Sequence, residues 1–296
     1  MTRGINTQCL HLEEDEGDCK NFGALIFPIY QTATYAHLGV GRSTGFDYSR
    51  LQNPTREHLE KVVAQLEGGI DAFAVSSGMS AISLLMEIFG PGDEIIADCD
   101  LYGGTIRLFD NVLKRNGIAV KPAECSKVDV EALVSPNTKA IYIETPINPM
   151  MNVSDIAKLA DIAHRNNAWL VVDNTFLSPY FQNPLRLGAD IVIHSGTKFL
   201  GAHNDTMAGF VVTNNPEIQE KLRFLIKTEG RALAPFDCWL IERGIKTLIT
   251  YPTIQTHADF PENVRIANGI TDSVLRLSVG IEDLSDLIAE LGSVFN

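Results

Sequence analysis

The chain has 296 residues, 45% of them hydrophobic and 21% charged, with a formal net charge of −13. That length and apolar content suffice for one large core, or one large and one small. The excess of acid excludes a nucleic-acid surface or an anionic membrane as partner, since each needs a basic patch.

Five cysteines are present, Cys9, Cys19, Cys99, Cys125 and Cys238, an odd number with no CxxC pair. A disulfide framework or zinc knuckle is therefore not expected, and a reducing cytoplasm is the natural setting. The stretch from Met1 to Asp18 carries acids and no apolar stretch of signal-peptide type. No apolar run approaches the ~18 residues of a membrane span.

Residues 1–53 show weak periodicity and many turn-formers and read as an arm with little regular structure. From Pro54 helix and strand signals alternate. Arg56 to Leu66 has helical spacing and stops at Gly68-Gly69; Ala72 to Val75 reads as a strand and Ser80 to Phe89 as a helix. A strand at Glu94 to Ala97 precedes a helix around Thr105 to Asn116. Ala140 to Ile143 is a strand, and Ser154 is placed to cap a helix with Ile156, Leu159, Ala160 and Ala163 on one face. Leu170 to Val172 and Ile191 to Ile193 are continuous apolar runs, as in strands buried on both faces of a parallel sheet.

This alternation predicts βαβ units and an open α/β sheet over residues 54–235, with ligands beyond the carboxyl ends of the strands. Residues 236–296 make a small C-terminal domain: a helix over Asp237 to Leu248, a strand over Leu275 to Val279 and a closing helix over Glu282 to Val294.

Residues with chemical potential gather at those strand ends. Lys198 follows the run Ile191-Val192-Ile193-His194 and the small residues Ser195-Gly196-Thr197. In a water-poor setting such an amine loses its proton readily and forms an imine with an aldehyde, although an ordinary surface lysine has the same local sequence. Asp173 ends another strand, where it could meet a cation, bind a metal or cap a helix. Ser77-Gly78-Met79 leads from strand into helix, and its backbone N–H groups with the positive helix end suit a phosphate. It is neither a GxGxxG nor a GxxxxGK[ST] loop, so nucleotide binding is not indicated.

Tyr102-Gly103-Gly104-Thr105 offers an aromatic ring beside flexible backbone, fit for stacking on a planar group. Asn148 follows a strand between Pro146 and Pro149. The seven histidines form no metal-binding spacing, so no metal is expected, and His194 is the one expected to line the site. No GxSxG elbow is present.

Taken in order, Tyr48-Ser49-Arg50, Asn53-Pro54-Thr55, Ser77-Gly78-Met79, Asp173-Asn174-Thr175 and Ser195-Gly196-Thr197-Lys198, with Leu275 to Asp283 near the end, resemble the Cys/Met metabolism enzymes dependent on pyridoxal 5'-phosphate (PLP). That family holds cystathionine γ-synthases, cystathionine β- and γ-lyases, methionine γ-lyases and O-acetylhomoserine sulfhydrylases. The resemblance covers nearly the whole chain.

It implies an aspartate-aminotransferase-like (fold type I) α/β fold, with a mostly parallel sheet flanked by helices and a shortened C-terminal α/β domain. By the same resemblance Lys198 is the Schiff-base lysine and proton shuttle, Asp173 pairs with the pyridine nitrogen and Tyr102 stacks on the ring. Asn148 contacts the phenolic oxygen, while Ser77, Gly78, Met79, Ser195 and Thr197 hold the phosphate. Tyr48 and Arg50, on the 1–53 arm, reach the phosphate of a neighbouring subunit in a homo-oligomer, a dimer-built tetramer; Tyr48 also meets substrate. Arg276 holds the substrate carboxylate through a two-bond pair.

The implied reaction is elimination or replacement at Cβ or Cγ of a small-molecule amino acid, cystathionine synthesis or cleavage first, methionine cleavage or sulfhydrylation as alternatives. Two departures stand out. The family's long segment between the equivalents of Leu248 and Ile249 has no counterpart, which leaves open a PLP-binding but inactive form. Gly104 stands where methionine γ-lyases have cysteine.

Overall fold

The computed structural model describes residues 27–242, 248–250, 261–268, 271, 274 and 276–278, with side chains left aside in 248–250 and 276–278. A seven-stranded sheet organises the fold. Its strands are β1 (Asp71–Val75), β2 (Glu94–Asp98), β3 (Ala119–Ala123), β4 (Thr138–Glu144), β5 (Trp169–Asp173), β6 (Ile191–Ser195) and β7 (Gly209–Thr213). They lie in the order β1-β7-β6-β5-β4-β2-β3. All neighbours run parallel except around β7, which is antiparallel to both β6 and β1. The mostly parallel α/β fold expected from the alternating pattern is therefore present, and β1 shares its direction with β4, β5 and β6.

Both faces of the sheet are covered, which is why the strands inside its edge at β3 read as apolar runs. On one face lie α2 (Gly78–Met86), the turn that extends α3 (Gly103–Leu108) through Phe109–Leu113, and α6 (Pro216–Glu229), packed on Phe73, Val75, Ile95, Tyr142, Val171, Ile193 and Val211. On the other, α4 (Ile156–Arg165) covers Ile141, Ile143, Leu170 and Val172. Beside it, α1 (Pro54–Glu67) and α7 (Pro235–Ile241) cover Ala72, Ala74, Val192 and Phe210. A short α5 spans Ser178–Phe181.

Local chemistry explains the ends of α1. Asn53 accepts from the N–H groups of Thr55 and Arg56 at 3.0 and 3.4 Å, Pro54 opens the first turn, and Gly68 closes the helix at φ +79°. Asn53 Nδ2 also donates to the Tyr30 carbonyl, the Tyr35 hydroxyl and the Ser49 hydroxyl, tying residues 27–53 to α1. Between 27 and 53 the backbone forms hydrogen-bonded turns and one isolated bridge, Thr34 with Tyr48, but no helix or strand.

Two expected boundaries move. Ser154 does not cap α4; Asp155 does, accepting from Lys158 N at 3.0 Å, while the Ser154 N–H donates to Thr145 Oγ1. The helix expected over Asp237 to Leu248 ends at Ile241, and Leu248–Thr250 (β8) pairs antiparallel with Arg276–Ser278 (β9). A further helix, α8, spans Glu262–Ala267. The closing helix over Glu282 to Val294, the Val279 to Asp283 motif and the Gly244 to Thr247 junction lie outside the described residues.

Candidate active site

The carboxyl ends of β1, β4, β5 and β6 form one edge, and hydrogen-bond register shows which residues share it. Val75, Gly209 and Ser195 lie in one row across β1, β7 and β6. The Ser77-Gly78 segment therefore leaves β1 directly above the end of β6. The fit is close: a Cβ on Gly78 would stand 2.8 Å from Ser195 Cβ and 3.0 Å from its Oγ. A Cβ on Gly209 would stand 2.0 Å from the Ser77 carbonyl oxygen. Both positions call for glycine: Ser195 stands where a Gly78 side chain would be, and the Ser77 backbone where a Gly209 side chain would be. Gly209 plays no part in the sequence expectations; its only local sign is a glycine opening an apolar run.

Ser77 caps α2, its Oγ accepting from Ser80 N at 3.1 Å. The N–H groups of Gly78 and Met79, first in the helix, precede any intrahelical acceptor and remain available to an anion. Ser195 contributes a half-buried hydroxyl beside them. Thr197, expected to add a second hydroxyl, has it engaged with Ala208: it donates to the carbonyl at 3.3 Å and accepts from the N–H at 3.2 Å.

Lys198 lies in the turn that follows Ser195, its N–H donating to the Ser195 carbonyl at 3.1 Å. Its side chain is exposed in the single chain. The water-poor surroundings that the lysine chemistry calls for are thus not supplied by this subunit's protein atoms alone. His194, expected to line the site, alternates to the opposite side of β6. It is 1% exposed, and its Nε2 sits 2.5 Å from Glu67 Oε1 at the end of α1. Glu67 also accepts from Asn174 Nδ2 at 2.9 Å, and Gln182 Nε2 joins Asn174 Oδ1 to the Thr145 carbonyl. This network clamps the ends of β4, β5 and β6 to α1 from behind.

Asp173 ends β5 and is buried. Thr175 donates to its Oδ1 from both N and Oγ1, at 3.0 and 2.6 Å. Thr175 Oγ1 in turn accepts from Ser195 N at 2.8 Å, linking the carboxylate to the end of β6. Burial lifts the Asp173 carboxyl above the usual aspartate range, against the bonds from Thr175 and the field of His194. A cation set against it would draw that value back down.

Glu144 stands in register with Asp173 on the neighbouring strand. Burial, and then the nearby Asp173 charge, push it well above the usual glutamate range. It accepts from Tyr102 N at 3.0 Å. The Tyr102 ring is 39% exposed and lies over Gly104, where a Cβ would come within 2.5 Å of Tyr102 Cε1 and 2.8 Å of Met79 Sδ. The ring and the first turn of α2 thus approach each other. Asn148 follows β4, with its Oδ1 buried and unpartnered among the described residues.

The arm residues sit differently. Arg50 stacks its guanidinium 5.3 Å over the Tyr48 ring and donates to the Lys227 carbonyl at the end of α6. The single chain brings neither to Ser77 or Ser195. Arg276 is seen only as backbone in β9, paired with Thr250; its side chain is outside the described residues.

The family model for Cys/Met metabolism PLP-dependent enzymes matches residues 6–250 and 246–296. The chain belongs to this family. It is 40% identical over 344 aligned positions to the cystathionine gamma-synthase of Haemophilus influenzae, covering 92% of this chain and 93% of that protein. It is likewise 40% identical to the cystathionine gamma-synthase/O-acetylhomoserine (thiol)-lyase of Bacillus subtilis, with 91% of each covered. Among solved structures, the cystathionine gamma-lyase of Lactobacillus plantarum complexed with L-serine matches with a TM-score of 0.89 at 33% identity, covering 98% of each chain.

The Haemophilus alignment is longer than the chain's 296 residues, so that relative has residues with no counterpart here. The two family matches meet at 246–250, where the sequence runs from Gly244-Ile245-Lys246-Thr247-Leu248 straight into Ile249.

The fold-type-I architecture and PLP dependence follow from that membership. The residues present fit the cofactor. Glycine-lined backbone opens an anion cradle beside Ser195, a buried carboxyl awaits a cation at Asp173, and Asn148 Oδ1 has unmet hydrogen-bonding capacity. Among the described residues no helix is long and apolar enough to cross a membrane.

Proposed function

We propose that this PLP-dependent enzyme carries out trans-sulfuration, synthesising or cleaving cystathionine by elimination or replacement at Cβ or Cγ. The observation that carries the reading is the convergence of Ser77-Gly78-Met79, Ser195, Lys198 and Asp173 on one sheet edge. In this reading Lys198 Nζ is the amine that holds the cofactor aldehyde. Asp173 keeps the pyridine nitrogen protonated, Tyr102 stacks on the ring, and Asn148 meets the phenolic oxygen. Ser77, Gly78, Met79, Ser195 and Thr197 receive the phosphate; for Thr197 this means turning its O–H away from the Ala208 carbonyl, while it can still accept from the Ala208 N–H. When bound, PLP supplies an electron sink that makes the substrate Cα–H acidic.

The protein's own part is positioning and proton transfer. With PLP bound, Lys198 Nζ would take the Cα proton and return it to the product carbon skeleton. Arg276 fixes the substrate carboxylate so that the Cα–H bond faces Lys198. Tyr48 and Arg50 complete the phosphate and substrate site of a neighbouring copy, in a cytoplasmic homotetramer built from dimers.

Product analysis tests the reading. Purified protein with PLP is given cystathionine, or O-acetylhomoserine plus cysteine, with methionine as the comparison. Pyruvate identifies β-elimination, 2-oxobutyrate γ-elimination, and new cystathionine replacement; each activity is lost in Lys198→Ala. No product from cystathionine or from the acetylhomoserine pair would refute the proposal.

A further inference from the structure

Glu144 is a buried acid that none of the sequence motifs singles out. It is only 7% exposed, and burial this deep is costly for a carboxyl group unless its bonds are needed. Its Oε2 accepts from the Tyr102 N–H at 3.0 Å, and the nearby Asn148 N–H favours its charged form. Its strand neighbour in register is Asp173. One side chain therefore touches or adjoins three residues from three separate segments.

The Tyr102 turn needs such an anchor. Gly103 and Gly104 open α3, where glycine is a weak helix former, and no side chain caps that helix end. The ring itself is partly exposed. Asn148 lies in a loop between β4 and α4, also away from regular structure. The strand end at Glu144 is the rigid element common to both.

We infer that Glu144 is a positioning residue of the cofactor site, holding the Tyr102 and Asn148 turns at a fixed distance from Asp173. The inference rests on the reading above in which those three residues contact PLP. Glu144 itself touches neither cofactor nor substrate; it acts through the two N–H groups.

The test compares two variants of the full-length holoenzyme. Glu144→Gln keeps an oxygen acceptor, whereas Glu144→Met keeps the volume and removes it. Visible circular dichroism reports how rigidly the bound cofactor is held, and dilution measures PLP release. Borohydride fixation with peptide mass analysis reports whether PLP is attached at Lys198, and far-ultraviolet dichroism reports folding.

Glu144→Met should lose most of the visible ellipticity and release PLP roughly tenfold to a hundredfold faster, with attachment still at Lys198. Glu144→Gln should hold its ellipticity and release PLP within about threefold of wild type. Wild-type behaviour in a folded Glu144→Met protein would overturn the inference while leaving the site reading intact. So would a folded Glu144→Gln protein that loses the signal, which decides the matter even if the methionine variant does not fold. If the wild-type protein carries PLP elsewhere than Lys198, the site reading falls and this inference with it.

Discussion

The substitution Gly209→Ala places a methyl group where the Ser77-Gly78 turn, the proposed phosphate cradle, passes over β7. The new Cβ would meet three main-chain atoms: Ser77 O at 2.0 Å, Ser77 C at 2.4 Å and Gly78 N at 2.8 Å. Carbon and oxygen settle near 3.5 Å, so the turn must retreat by about 1 to 1.5 Å. It has little slack, because Gly78 is already pressed on Ser195 and Ser77 is committed to capping α2. Forced overpacking costs about 1–3 kcal/mol, and a collision with backbone belongs at the top of that range. Where the groups of that turn hold the phosphate, as proposed, losing up to about 3 kcal/mol of fit on its shifted donors should weaken PLP binding by up to about a hundredfold. The control is Gly92→Ala, at φ +93° with open space around it, where only left-handed strain of about 1 kcal/mol is added. Urea unfolding of the apo proteins and PLP titration measure the two effects. The reasoning is refuted if Gly209→Ala unfolds no more easily than Gly92→Ala and binds PLP as wild type does.

Thr175→Val removes the hydroxyl that joins Asp173 Oδ1 to Ser195 N, leaving that N–H without its acceptor. Stability should fall by about 1–3 kcal/mol in urea titration, with Thr175→Ser recovering most of it; an unchanged Val variant would show the link to be idle. Gly104→Ala brings a methyl against Tyr102 and Met79, side chains that can turn aside. Turnover should therefore drop more than the melting temperature, and the reverse order would argue against a role for the Tyr102 ring. Asp98 is raised to about 6 from an ordinary 3.8, chiefly by burial. The folded state thus binds this proton more tightly than the unfolded chain. The stability it contributes is full below about pH 4 and is lost as pH rises through about 6, on the order of 3 kcal/mol. Asp98→Asn should flatten the pH profile of urea stability across that window, and parallel profiles would contradict the assignment.

What could be read from the sequence follows the reach of each physical signal. Buried parallel strands such as Val171 and Val172 in β5 or Ile191 to Ile193 in β6 announce themselves as apolar runs, and β1, β2 and β4 do the same. β3 does not, because Lys121 and Pro122 interrupt it at the sheet edge, where burial is slight. The place of β7 was invisible for another reason: a short apolar run carries no information on strand direction. The α4 boundary moved by one residue because Ser154 and Asp155 are both good caps, and the choice was made by Thr145 taking the Ser154 N–H.

At the candidate site, the residues proposed to carry the chemistry stand out in the sequence and their supports do not. Lys198, Asp173 and Ser77-Gly78-Met79 sit in ordered strings with local meaning. Glu67 meets His194 across 127 residues of chain, which no local pattern encodes. The expectation that His194 lines the site failed on strand alternation, since Ser195 beside it takes the opposite face. Gly209 and Glu144 likewise gain meaning only from what passes beside them in the fold.

The paired acids at the ends of β4 and β5 carry the last step. Two buried carboxyls in register repel each other when both are charged, so in the protein alone at least one is held back from ionising. In the proposed site a protonated ring nitrogen beside Asp173 would change that balance by giving the carboxylate a counter-charge. Asp173 has the two bonds from Thr175 and the field of His194 to favour its ionised form. Among the influences on Glu144, the Asp173 charge pushes the other way, and Tyr102 and Asn148 offset it only through backbone N–H groups. On the proposed reading the asymmetry divides the work: Asp173 takes the charge that the cofactor needs, and Glu144 keeps the geometry.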